Sequence, residues 1–133
     1  SYPDGQGVEV ISFSTLEKVW REAKNDFERE HTTPYIWEHP DIFRITNVLW
    51  ETGINLSMSH RITIDYPEDY ELISAVYEAL YPVNPCFSLD DIVSFLDSHL
   101  DVFSLNSKYV GVNWYRHHID KLTTISPAET KVI

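Results

Sequence analysis

The sequence predicts an α/β fold, a small mixed sheet of about three strands packed with helices, and two observations carry that expectation. Apolar, β-rich runs occur at residues 8–13, 43–50 and 61–64, and between and after them apolar residues return at helical spacing. The chain has 133 residues, 43% of them hydrophobic. A chain of this length buries roughly two thirds of its unfolded surface, which suffices for one core and excludes disorder as the default.

Each element follows from local chemistry. Residues 1–7 hold two of the four glycines and a proline, a turn-rich lead-in to the first strand, Val8-Glu9-Val10-Ile11-Ser12-Phe13. Ser14 with Glu17 three residues on has the spacing of a capping box, and Leu16, Val19, Trp20 and Ala23 then recur as one helical face. Residues 25–32 are charged and without period. Thr33-Pro34 supplies an N-cap and a proline at the first helical position of a short helix that His39-Pro40 stops. Residues 43–50 read as the second strand, 51–59 as a loop, and 61–64 as the third strand. Asp65-Tyr66-Pro67-Glu68 ends that strand and opens the clearest helix, with Leu72, Ile73, Val76, Tyr77 and Leu80 along one side. Ser88 caps another through Leu89, Ile92, Val93, Leu96 and Leu100. From residue 106 the tail carries four basic residues against two acids. Three strands are a thin sheet for these helices, as in part of a larger fold.

Charge narrows the function classes. The formal net charge is −11, which argues against a nucleic-acid groove and against anionic membrane surfaces, because both require clustered Lys and Arg. No apolar run approaches the roughly 18 residues of a spanning helix. One cysteine, Cys86, permits no disulfide framework and fits a reducing cytoplasm. Between Arg61 and Lys108 there is no Lys or Arg, while nine acids fall in that stretch. Most of them suit solvated helix faces and N-caps; a divalent cation is the sharper use for one or two.

Asp65 is the candidate, since it stands at the C-terminal end of a strand where open α/β sheets place ligand chemistry. The same residue, with Glu68, also has capping-box spacing. His31, His39 and His60 lack paired helical spacing and His117-His118 are adjacent, which does not make a zinc site. Cys86 has no CxxC partner, and no G-x-S-x-G elbow is present. The four tryptophans are expected mostly in the core, and the aromatic tail is expected to pack on the body or on a second subunit.

Ile64-Asp65-Tyr66-Pro67-Glu68-Asp69 resembles the valine-aspartate-threonine-proline-glutamate-aspartate signature of bacterial cytidylyltransferases. Asp4-Gly5-Gln6-Gly7-Val8-Glu9-Val10 and Glu28-Arg29-Glu30-His31-Thr32-Thr33-Pro34-Tyr35-Ile36 resemble the branch of that family that takes in spore coat polysaccharide biosynthesis and acylneuraminate-type enzymes. The resemblance runs in the same order from about residue 2 to about residue 100. It implies the C-terminal part of a nucleotide-diphospho-sugar transferase fold, with residues 1–105 as the sugar-facing, dimer-forming half and 106–133 as a tail. It further implies an enzyme that couples CTP to a sugar acid, releases pyrophosphate, uses Mg²⁺ and works as a homodimer. Asp65 then takes the place of the metal-binding aspartate.

Arg29, Glu30 and His31 would face the acceptor sugar, or else form a charged loop. Arg61 would bind phosphate or a sugar carboxylate, or pair with a neighbouring acid; Glu9 would meet a sugar hydroxyl or face solvent. The family's glycine- and arginine-containing phosphate loop, with its lysine, has no counterpart here: Gly5-Gln6-Gly7 leads into a strand and is most simply a turn. By itself the chain is therefore expected not to turn over CTP. The other reading is a stand-alone interaction or dimerisation module that has kept the fold without catalysis.

Overall fold

A computed structural model describes residues 1–131; the last two residues of the predicted tail, Val132 and Ile133, lie outside the described residues. The expected three-strand sheet is not what forms. Among the described residues the regular structure is helical, and the one β-type pairing is an isolated parallel bridge between Asp4 and Arg61. The helices are α1 (Phe13–Glu22), α2 (Asp26–Glu30), α3 (Pro34–Trp37), α4 (Pro67–Leu80), α5 (Leu89–Ser98) and α6 (Leu100–Phe103), followed by short 3₁₀ turns. Residues 8–11 and 44–49 keep the β-rich composition, but their backbone groups find no ladder partner among the described residues. Composition favours an extended chain; a strand also needs a neighbour to pair with.

The chain divides into two compact units. One joins Ser1–Gly7 to Trp50–Gly111, the other Val8–Leu49 to Val112–Ile133.

In the first unit Leu72 and Val76 of α4, Leu96 of α5 and Ile62 form the buried core, with Ile73, Leu80, Phe87, Ile92, Phe95 and Phe103 packed around it. α5 begins as its sequence demands. The Asp91 N–H donates to Ser88 Oγ, and Asp91 Oδ2 in turn accepts from the Ser88 N–H at 2.7 Å. The helix ends at His99, whose backbone is non-helical, and Leu100 starts α6 instead of extending α5. The lead-in is stitched to the same unit: the Asp4 N–H donates to the His60 carbonyl, the Ile62 N–H to the Asp4 carbonyl, and Tyr2 stacks on the buried Trp50. Gly5 makes the turn at φ +87°, where a Cβ would lie 2.3 Å from the Ile62 carbonyl oxygen.

In the second unit Val19 of α1 and Ala23, its C-cap, pack with Tyr35 and Ile36 of α3, flanked by Ile11 and Phe43. α1 starts two residues before the predicted capping box: Ser12 is the N-cap and accepts from the Thr15 N–H. Of the face expected to be buried, Leu16 and Trp20 are instead exposed. Residues 25–32, read as unperiodic, contain α2, which begins because the Glu28 carboxylate accepts from the Lys24 and Asn25 N–H groups. Thr33 and Pro34 open α3 as the sequence predicts. The tail closes on this unit, with Glu38 accepting from both the N–H and the hydroxyl of Thr123 and of Thr124.

Candidate functional site

The motif 64–69 folds into a charge cluster around Arg61, whose side chain is only 2% exposed. Pro67 occupies the first turn of α4 and Tyr66 its N-cap, so Asp69 is the third helical residue. From there one carboxylate oxygen accepts the N–H groups of both Asp65 and Tyr66 at 3.0 Å. The cap thus falls on Asp69, one residue after the spacing of Asp65 and Glu68 suggests.

Asp69 does more than cap. It is fully buried and takes Arg61 in a two-point grip, Nε to Oδ1 at 2.9 Å and Nη2 to Oδ2 at 3.0 Å. Asn106, also buried, donates from Nδ2 to Asp69 Oδ1 at 2.8 Å and to the Arg61 carbonyl at 3.0 Å. Burial alone would raise the Asp69 pKa, but these donors outweigh it and hold the carboxyl below its usual range.

The rest of the guanidinium is held by Asp4 (Nη1 to Oδ2, 3.1 Å) and Asp65 (Nη2 to Oδ2, 2.5 Å). Burial would weaken the charge of Arg61, yet Asp69 and Asp65 more than offset this and raise its pKa. Asp4 goes the other way. Its burial, together with repulsion from Asp65 and Asp69, outweighs Arg61 and raises its pKa. Tyr66 lies 5.5 Å from the guanidinium and stacks on Tyr109 at 3.7 Å, beside an ion pair between Lys108 and Glu68.

Asp65 differs from the other two acids: its side chain is 61% exposed. It is the carboxylate that the cluster presents to solvent, while Arg61 is shut in behind it. The guanidinium is already paired with three carboxylates, so a phosphate or sugar carboxylate has to compete with them for it. For a divalent cation, the three acids converge on a cation already present, and no group of three His, Cys, Asp or Glu among the described residues is arranged to hold a metal. These residues therefore do not compose a metal site by themselves; they can offer Asp65 as one ligand.

The remaining candidates lie in the other unit. Glu9 accepts from the Thr33 hydroxyl at 2.9 Å. Arg29 donates to the Ala23 carbonyl at 3.3 Å, Glu30 is exposed at the end of α2, and the His31 ring stacks on Trp114 of the tail at 3.8 Å. Asp69 and Asn106 were not singled out from the sequence. Pro67 at the first helical position was the local signal for Asp69, whereas nothing near Asn106 in the chain points to a partner 37 residues away.

Two curated proteins are similar to this chain. One is an uncharacterized protein, MJ1063, of Methanocaldococcus jannaschii, 33% identical over 108 residues that cover 77% of this chain and 41% of that protein. The other is the spore coat polysaccharide biosynthesis protein SpsF of Bacillus subtilis, 32% identical over 94 residues that cover 70% of this chain and 38% of that protein. The chain thus spans about two fifths of the length of the relatives it matches. No family model matches it, and no solved structure does. Among the described residues, no helix is long and apolar enough to cross a membrane.

Proposed function

We propose that this chain is the sugar-facing part of a cytidylyltransferase-type enzyme, one that joins CTP to a sugar acid and releases pyrophosphate. The observation that carries this reading is the geometry of 64–69: a buried Arg61–Asp69 lock at the start of α4 holds one carboxylate, Asp65, out toward solvent. The similarity to SpsF, whose name places it in spore coat polysaccharide biosynthesis, supports the same direction.

In this reading Asp65 gives one ligand to Mg²⁺, and the other ligands and the phosphate-binding groups come from polypeptide that the relatives carry and this chain does not span. A bound divalent ion supplies neutralisation of the charge on the triphosphate, which an acidic protein cannot provide with carboxylates alone. The chain's own residues do the positioning. Asp69 pins the peptide N–H groups on either side of the Asp65 Cα, and Arg61 limits where the Asp65 carboxylate points. Arg29, Glu30, His31 and Glu9 are the groups proposed to meet the acceptor sugar; the Glu9 carboxylate accepts from the Thr33 hydroxyl.

The test is pyrophosphate release from CTP and a panel of sugar acids by the chain completed with the uncovered part of the Bacillus relative. Asp65→Asn is expected to lower turnover at least a hundredfold while the circular dichroism spectrum stays unchanged. Full activity of that variant would overturn the metal assignment. No turnover by the unaltered, completed protein would leave the non-catalytic module as the better reading.

A further inference from the structure

The exposed carboxylate of Asp65 sits on a turn that a distant stretch of the same unit holds in place. Residues 106–109 follow α6 as a 3₁₀ turn, in which the Tyr109 N–H donates to the Asn106 carbonyl at 2.9 Å. Three residues per turn bring side chains i and i+3 to one side, so Asn106 and Tyr109 both reach the start of α4.

Three side chains of this turn each take a different hold. Asn106 binds the Asp69 carboxylate and the Arg61 carbonyl in the interior. Lys108 pairs with Glu68 at the surface, where its own side chain is 59% exposed. The Tyr109 ring lies on the Tyr66 ring at 3.7 Å with the planes 4° apart, and the Lys108 ammonium is 4.7 Å from the Tyr109 ring centre. Tyr66, Glu68 and Asp69 are thus all held from 106–109, and Asp65 is carried on the same turn.

Stability is a poor account of the outer two contacts. An exposed ion pair contributes little to folding, and the stack joins two half-buried rings. What both restrict is rotation of the 65–66 turn, because Tyr66 is the N-cap from which α4 departs. A carboxylate that must meet a reacting group tolerates little drift, since about 1 Å of misplacement costs on the order of a hundredfold in rate.

We propose that residues 106–109 form a clamp that sets the direction of Asp65, with Lys108 and Tyr109 as positioning residues that act through Glu68 and Tyr66. The use of Asp65 in turnover rests on the function proposed above; the clamp itself does not.

Hydrogen exchange tests the clamp in the 133-residue chain, and kinetics test its use in the chain completed with the uncovered part of the Bacillus relative. Tyr109→Ala is expected to speed exchange of the Asp65 and Tyr66 N–H groups, which Asp69 accepts, about tenfold or more, while the amides of Leu72 and Val76 keep their rates. Tyr109→Phe keeps the ring and is expected to behave as the unaltered chain. Unchanged exchange at 65–66 in Tyr109→Ala would overturn the proposal, because nothing would be clamped. Faster exchange along the whole of α4 would overturn it equally, because the contact would then serve folding. In the completed protein Tyr109→Ala is expected to lower kcat about tenfold at unchanged KM, and Tyr109→Phe to keep full turnover. An undiminished kcat in Tyr109→Ala, or a kcat as low in Tyr109→Phe as in Tyr109→Ala, would overturn the positioning role. A completed, unaltered protein without turnover counts against the catalytic reading alone, and the exchange rates at 65–66 then decide the clamp.

Discussion

Asp69 is the residue on which the cluster depends. It is buried, charged and bound by five donor contacts from four residues, so removing its charge leaves Arg61 buried with two less enclosed partners. Breaking a buried pair from one side costs about 3–5 kcal/mol, and Asp69→Asn is expected to lose that much in urea denaturation. Asp69 and His60 each set one window of the pH dependence. The Asp69 carboxyl titrates lower in the folded state than in the unfolded chain, so its contribution is complete above about pH 4 and disappears as the pH falls through the lower folded value. His60 is a base held neutral: burial lowers its pKa, against a smaller pull from Asp97, and its imidazole packs on Phe103. The unfolded chain therefore binds the proton first, and stability begins to fall below about pH 6.5. Thermal melts between pH 3 and 8 should show both losses, with His60→Gln removing the upper one. Gly5→Ala should cost at least about 2 kcal/mol, since it adds left-handed strain to a contact with the Ile62 carbonyl.

At the level of elements, the three longer helices and the start of α3 were legible and strands were not, for one reason. A helix satisfies its backbone within its own segment, so Thr33-Pro34, Ser88 and the apolar side of α4 could be read locally. The β-rich runs needed partners that the described residues do not provide. The error over Trp20 has a related cause: α1 has two apolar sides, and spacing alone does not say which one meets the core. The site divided in the same way. Arg61, Asp65 and Asp69 lie within nine residues of one another, whereas Asp4 and Asn106 join them only through the tertiary fold. Two substitutions check this account. Ser88→Ala should cost about 1 kcal/mol through its lost cap, and Leu72→Ala about 2–5 kcal/mol through the cavity left in a fully buried site, both measured as shifts in the urea midpoint.

Across the whole molecule, each unit is assembled from two stretches of chain, and the stretches interleave. The tail is part of the second unit's structure: Glu38 is tied to Thr123 and Thr124, and His31 is covered by Trp114. Ending the chain after Gly111 should therefore raise hydrogen exchange across α2 and α3 while leaving α4 and α5 protected. The interleaving also sets the order of events during synthesis. Asp4 leaves the ribosome before Arg61, and Arg61 before Asn106, so the cluster cannot close until residue 106 has been made. The intervening stretch waits in turn for residues after 111. Loop closure over such distances costs little more than over short ones, but it postpones these contacts until the later partner has been made. The cluster is thus assembled in the order in which its residues are made, and a fall in soluble yield when synthesis is accelerated would register that dependence.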